Sequence, residues 1–477
     1  MKKVKKALFF FFFVIGLTSV LPNSTLPIDR INLNQVRASF VGEEEWDAAG
    51  LSVCIAGDVN GDGYDDVIIG SMHSLHSYRG ISQGETYLIF GKVSGWSLRT
   101  SLSEADASFV GENWNDGAGY LVSGAGDVNG DGYDDMLIAA EIQDYYEYHA
   151  GQVYLIFGKP GGWEMRTNLS EADASFEGEE KEDRAGRTLC GAGDVNGDGY
   201  NDILIGSFSI GPDNPGAKDD SGRVYLIFGK PSGWSMRTPL SEADVTFVGP
   251  ISKDWLGSRV AGAGDINGDG YEDILIGAHW KDQNEQDVSR VYLIFGKPDG
   301  WDREIPMSES DISLMGPGWF SIPHWEYWPG GWSVAGAGDV NGDGYDDMLI
   351  GAPWDSNGGN NSGQTYIVFG RPGGGGAIEV DLSAVADASF IGEEPGDWSG
   401  FCVTGGGDVN GDGYDDMLIG AYKKEGEVGQ TYLIYGKPSG WTKGISLSEA
   451  DVSFVGEEPE DRSGWSISMG GDVNGDG

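Results

Sequence analysis

The residues with the most chemical potential in this chain are aspartates set at fixed offsets. In Asp58-Val59-Asn60-Gly61-Asp62-Gly63-Tyr64-Asp65-Asp66, side-chain oxygens stand at the first, third, fifth and ninth positions. The backbone carbonyl of the seventh residue, Tyr64, adds another oxygen. A donor set made only of oxygen suits a hard cation, and calcium takes six to eight such ligands. Gly63, at the sixth position, permits the sharp turn that folds the donors around one point. Val59 is expected to point away into a core. An EF-hand would need glutamate at the twelfth position between two helices, but Ile69 stands there in a strand-like run. Paired short repeats followed by helices, as in a dockerin, do not fit either. A plain Asn/Gly turn needs one or two such residues, not four donors at fixed offsets.

The pattern recurs. Complete copies are Asp127, Asn129, Asp131, Tyr133 and Asp135; Asp194, Asn196, Asp198, Tyr200 and Asp202; Asp265, Asn267, Asp269, Tyr271 and Asp273; Asp339, Asn341, Asp343, Tyr345 and Asp347; and Asp408, Asn410, Asp412, Tyr414 and Asp416. A seventh copy keeps Asp472, Asn474 and Asp476 before the sequence stops at Gly477. About six calcium ions are therefore expected, one for each complete loop. The eighth position is Asp65, Asp134, Asp346 or Asp415, but Asn201 and Glu272 in two copies. A direct ligand would not vary so freely, so this residue is assigned a supporting role.

The elements that must position these loops follow from the repeat. First aspartates are separated by 69, 67, 71, 74, 69 and 64 residues. Each copy has a short segment, the acidic loop, an apolar run such as Val67 to Ile69, a variable stretch, and a Tyr-Leu-Ile-Phe-Gly-Lys run such as Tyr87 to Lys92. A Gly-Trp turn then leads to a segment ending in Ser-Phe-Val-Gly, as at Ser108 to Gly111. Short β-branched and aromatic runs bounded by Gly, Pro, Asn and Asp are strands. Four strands per ~70 residues, repeated radially, make propeller blades. The expectation is an all-β fold, a seven-bladed β-propeller of four-stranded antiparallel blades. Val36 to Gly42 matches the last strand of a repeat yet precedes the first loop. It would complete the seventh blade, which is truncated at the C-terminus and short of its two middle strands.

Composition narrows the function classes. Glycine is 80 of 477 residues with 12 % aromatics, which suits tight turns between short strands and excludes collagen and disorder. Formal net charge is −46, which repels phosphate backbones and anionic lipid and excludes nucleic-acid partners. Four lysines among the first six residues precede the uncharged stretch Ala7 to Leu21. That reads as a signal peptide within 1–25, cleavage site undefined, with an uncleaved anchor as the alternative. Residues 30–477 form the propeller, with no membrane span in the mature chain and a secreted or cell-surface location. Cys54, Cys190 and Cys402 are an odd number, read as small buried packing residues.

The repeat resembles the FG-GAP repeat of the integrin α-subunit N-terminal β-propeller. Its Phe-x-Gly element stands as Phe40/Gly42, Phe109/Gly111, Phe176/Gly178, Phe247/Gly249, Phe390/Gly392 and Phe454/Gly456. Its Gly-Ala-Pro element is complete at Gly351-Ala352-Pro353. The fifth copy departs, with Leu314-Met315-Gly316, and the second has Ala139-Ala140. The resemblance covers about residues 30–477 and implies a seven-bladed propeller with calcium in the loop between a blade's first two strands. The integrin stalk, transmembrane span and inserted adhesion domain have no counterpart here.

In an antiparallel blade the first and third connections share one face, so the acidic loops lie with the Gly-Trp turns of Trp96, Trp163, Trp234, Trp301 and Trp441. The opposite face carries what varies: His73, His76, Tyr78, Tyr145, Tyr146, Tyr148, His149, His279, Trp280 and the insertion Gly316 to Gly331 with Trp325 and Trp328. That insertion either binds or plugs the axis. The expected partner is an extracellular protein or glycan ligand on this second face. No histidine pair has metal-ligand spacing, and neither a Gly-x-Ser-x-Gly elbow nor a phosphate loop occurs. The chain reads as a non-catalytic calcium-binding module for binding or cell adhesion. The alternative is the accessory propeller of a larger secreted hydrolase resembling glycosylphosphatidylinositol-specific phospholipase D.

Overall fold

Apolar runs of five or six residues, each ended by glycine or a charged turn, are too short for helices and bury well as strands. In the first repeat Ala49–Gly57, Asp66–Ser71, Glu85–Ile89 and Ala107–Val110 pair in order as an antiparallel sheet. Its two middle strands are buried along their whole length, as strands covered on both faces must be. The computed structural model describes residues 29–43, 47–72, 83–114, 116–141, 150–178, 183–208, 222–249, 255–281, 287–316, 333–373 and 378–476. Equivalent sheets begin at Ala118–Gly126, Thr188–Gly193, Arg259–Gly264, Ser333–Gly338 and Val403–Gly405. These innermost strands contact one another in sequence order, so the sheets are blades stacked around an axis.

Six blades form among the described residues, not the seven expected. The seventh sector holds two pieces of a blade. Trp465 to Ser468 lies beside the innermost strand of blade 1, where the Ser466 and Ser468 hydroxyls accept from Val53 and Ile55 N–H at 3.2 and 3.1 Å. At the rim, Phe40–Val41 pairs with Thr100–Ser101 as a two-stranded sheet. No strand among the described residues bridges the two pieces, and without that bridge they do not make a sheet.

Nor are the blades simply four-stranded. Each of the six carries a fifth, parallel strand supplied by the following sector, for example Thr167–Asn168 against Ala107–Val110. In the sixth blade this strand is Asp29–Asn32, paired with Val452–Val455. The N-terminal segment thereby joins the ring to the last blade. Every outer edge gains a partner, which removes a row of free backbone groups.

Aromatic side chains and acids hold neighbouring blades together. Trp163 meets Phe90 and Phe109 of blade 1 edge-on, with centroids 6.1 and 6.3 Å away, and its Nε1 donates to the Lys159 carbonyl at 2.9 Å. Trp234, Trp301 and Trp441 repeat this arrangement. Gly111 of the Phe-x-Gly element passes so close to the Gln83 carbonyl that an added Cβ would lie 2.3 Å from it. Some acids serve the framework alone: Asp106, Asp173 and Asp244 accept from the N–H of Phe90, Phe157 and Phe228.

Candidate functional site

Each acidic loop is closed by its first aspartate. Asp58 Oδ1 accepts from Gly61 and Asp62 N–H at 2.7 and 3.0 Å, and Oδ2 from Gly63 N–H at 2.8 Å. Asp127, Asp194, Asp265, Asp339 and Asp408 hold the equivalent three bonds. The fifth-position carboxylate turns inward too, with Asp62 Oδ1 accepting from Tyr64 N–H at 3.1 Å. The incomplete seventh loop folds the same way, with Asp472 Oδ1 accepting from Gly475 and Asp476 N–H.

The ninth-position aspartate is a buried post at the loop's base. Asp66 is fully buried, its Oδ2 accepting from Val59 N–H at 3.1 Å and its Oδ1 from Gly91 N–H at 2.8 Å. Burial pushes its carboxyl up to about 8, and the Asp62 and Asp58 charges add to this against the two backbone hydrogen bonds. Asp135, Asp202, Asp273 and Asp347 are raised to about 8 in the same way, and Asp416 to about 7. Repulsion among three clustered carboxylates is what a bound cation relieves. In the fourth loop Asn267 Oδ1 is buried with no hydrogen-bond donor. An all-oxygen donor set, an acceptor without a donor and mutually repelling carboxylates fit a hard divalent ion. The side chains are nonetheless drawn onto the loop's own N–H groups, and among the described residues no three Asp, Glu, His or Cys groups converge at metal-binding range.

How one loop leans on the next depends on residues 76 to 81 positions apart. Asp134, at the eighth position of blade 2, accepts from Asp58 N–H at 2.9 Å, and Asp346 and Asp415 do the same for Asp265 and Asp339. These residues connect blades. The Tyr133 ring lies over Gly61, whose φ is +74° and where an added Cβ would fall 2.4 Å from Cε1. Tyr200, Tyr271, Tyr345 and Tyr414 cover Gly130, Gly197, Gly268 and Gly342, and Tyr64 of blade 1 covers Gly475 of the seventh loop. The glycine at the fourth position thus admits both a left-handed turn and a neighbour's ring.

Of the residues expected on the opposite face, His73, His76, Tyr78, Tyr145, Tyr146, Tyr148, His149, Trp325 and Trp328 lie outside the described residues, as do the side chains of His279 and Trp280. An unanticipated aromatic cluster is described there. Trp354, Trp398, Tyr422, Phe401 and Trp465 form a chain of ring contacts 4.5 to 5.9 Å apart. Lys423 Nζ sits 3.3 Å from the Trp398 centroid and Arg462 lies over Trp465, so the cluster carries its own cations. The five contributors come from three sectors ~70 residues apart, a distance at which no local sequence pattern survives.

A cavity of about 330 Å³ follows the axis, lined by the innermost strands of all six blades and by Trp465 to Ser468. Cys54, Cys190 and Cys402 all line it. They are half-buried free thiols that pack against the blade cores, as expected, and also face the axis. Burial pushes Cys190 up to about 12 and raises Cys402 as well.

The FG-GAP repeat model matches residues 49–84, 118–156, 256–294, 330–368 and 403–434. Blade 3 lies outside these segments, yet its loop from Asp194 to Asp202 has the same hydrogen bonds. Integrin alpha-5 of Xenopus laevis is 29 % identical over 259 residues, covering 50 % of this chain and 21 % of that protein. Integrin alpha pat-2 of Caenorhabditis elegans is 30 % identical over 245 residues, covering 48 % and 17 %. Integrin alpha-PS2 of Drosophila melanogaster is 29 % identical over 236 residues, covering 48 % and 15 %. The chain thus spans 15 to 21 % of the length of these relatives. It carries FG-GAP repeats and resembles the integrin α propeller. No helix among the described residues is long and apolar enough to cross a membrane.

Proposed function

We propose that this FG-GAP-repeat chain is an extracellular, non-catalytic binding or adhesion module whose propeller is stabilised by calcium. The observation that carries the reading is the sameness of one face. Six loops present one oxygen-donor set on one hydrogen-bonded frame, while the connections on the other face differ in every copy. A repeated face suits a structural ion, and a varied face on a rigid frame suits recognition. In blade 1 the ion would be held by Asp58, Asn60, Asp62, the Tyr64 carbonyl and Asp66, with the matching residues in the other five complete loops. Bound calcium would neutralise carboxylates that otherwise repel and would tie each loop to its blade.

The partner in this reading is an extracellular protein or glycan held on the varied face. Solid-phase binding to arrays of matrix proteins and glycans, with millimolar calcium and with chelator, tests it. The reading expects calcium-dependent capture that Trp325→Ala weakens and Trp234→Ala, on the calcium face, leaves intact at temperatures where both fold. Capture that is indifferent to calcium, or lost equally in both variants, overturns it.

A further inference from the structure

The axial cavity carries positive charge in a chain whose formal net charge is −46. Arg187 and Arg259 line it, with Tyr120 beside them. Arg187 is only 5 % exposed: its Nη1 donates to Glu141 at 2.7 Å and its guanidinium lies over Phe208, but its Nε is buried with no acceptor among the described residues. Arg259 donates to the Ser258 carbonyl at 2.9 Å and pairs with no carboxylate among the described residues. Arg184 shares Glu141 with Arg187, at 3.4 Å. Arg187 is thus paired, and Arg259 leaves one guanidinium without a carboxylate among the described residues. The neutral neighbours do not cancel this excess, because burial holds the Tyr120 phenol and the Cys190 thiol up at about 12 and both stay protonated.

We propose that the mouth of the axial cavity, at Arg187, Arg259 and the Tyr120 hydroxyl, binds the carboxylate of a small organic monoacid. A guanidinium presents a planar fork of N–H donors that matches a carboxylate. Unpaired, half-buried Arg259 supplies that fork and the Tyr120 hydroxyl a further donor, while the Arg187 Nε stays buried beneath them. Leu51, Val122, Leu189 and Val260 line the same space and would cover the apolar body of the acid. A cavity of about 330 Å³ takes a small ligand and not a folded chain. The field of so acidic a protein opposes a dianion about twice as strongly as a monoanion, which disfavours phosphate and sulfate. The inference uses none of the acidic-loop residues and stands apart from calcium.

The cavity thiols report on it. In calcium-loaded native protein, alkylation of Cys190 and Cys402 by iodoacetate and by neutral iodoacetamide is followed by peptide mass spectrometry. The iodoacetate-to-iodoacetamide rate ratio is expected to fall about tenfold in Arg259→Gln and to be largely kept in Arg259→Lys. In the wild type, millimolar benzoate is expected to slow iodoacetate at both thiols, and inorganic phosphate to do so less. The wild-type protection experiment stands by itself if the Arg259 variants fail to fold. Equal ratios in wild type and Arg259→Gln, native thiols that neither reagent reaches, or no protection by benzoate overturn the site. Better protection by phosphate, or protection only by a glutamate-rich hexapeptide, overturns the assignment to a small monoacid.

Discussion

Replacing Asp134 with alanine separates a residue that links blades from a residue that would hold calcium. Asp134 stands beside the ninth-position Asp135, and because its position varies among the copies the sequence assigns it a supporting role. In the structure its carboxylate accepts the N–H of Asp58 in the preceding blade at 2.9 Å. A hydrogen bond to a charged group contributes about 1.5–3 kcal/mol net. Burial opposes part of that here, because it raises the Asp134 carboxyl before the Asp58 hydrogen bond lowers it. The backbone bond from Asp134 N to Asp58 O survives the substitution. The expected loss is therefore at the low end, about 1–2 kcal/mol. With ~2.1 cal/mol/K of unfolding entropy per residue, a 477-residue chain unfolding as one unit would lose only ~1–2 °C in Tm. One ~70-residue blade unfolding by itself would lose roughly 7–13 °C by the same arithmetic. Calorimetric melting in saturating calcium measures the loss, and isothermal titration counts the ions. Asp134→Asn keeps an acceptor oxygen and should recover most of the stability. Asn201→Ala should cost less, since among the described residues the Asn201 side chain makes no hydrogen bond across that boundary and the bond from Asn201 N to Asp127 O, 3.1 Å, survives the substitution. A calcium lost from Asp134→Ala, or stability equal to wild type, would falsify the division of roles.

Millimolar calcium should raise Tm strongly over chelator, since each site at a hundredfold excess over its Kd adds ~2.7 kcal/mol; coincident melting curves would refute the metal assignment. Asp265→Ala removes the carboxylate that accepts from Gly268, Asp269 and Gly270 N–H, so titration should count one calcium fewer and leave the other sites unchanged. Trp163→Ala should destabilise by about 2–3 kcal/mol, less than a fully buried aromatic because the ring is half-exposed; a change below ~0.5 kcal/mol in chemical denaturation contradicts its role between blades. Cys54, Cys190 and Cys402 should titrate as three thiols in denaturant without reductant, and a count of one would mean a disulfide that the structure lacks.

Much of this molecule was legible in one repeat. The acidic loop, its glycine at a sharp turn, the apolar runs and the Gly-Trp turn are local patterns, written six or seven times over, and local patterns fix local structure. Asp58 to Asp66 announces a tight loop closed by its first aspartate, and Val67 to Ile69 announces a buried strand, because neighbours in sequence supply the turn and the period. What the repeat could not state is what lies beside it. A count of loops suggested seven blades, whereas a blade needs two middle strands to join its inner and outer edges, and the seventh sector has none among the described residues. The parallel fifth strands escaped notice because Thr167–Asn168 is two residues long and its partner lies about 60 residues earlier. Asp134 was read as supporting its own loop, yet its hydrogen bond is made to Asp58 across a blade boundary. The cavity is the extreme case. Tyr120, Arg187 and Arg259 come from three different blades and share no motif. Closing the sheets around an axis brings them together, since only there do the innermost strands of all the blades face the same narrow space.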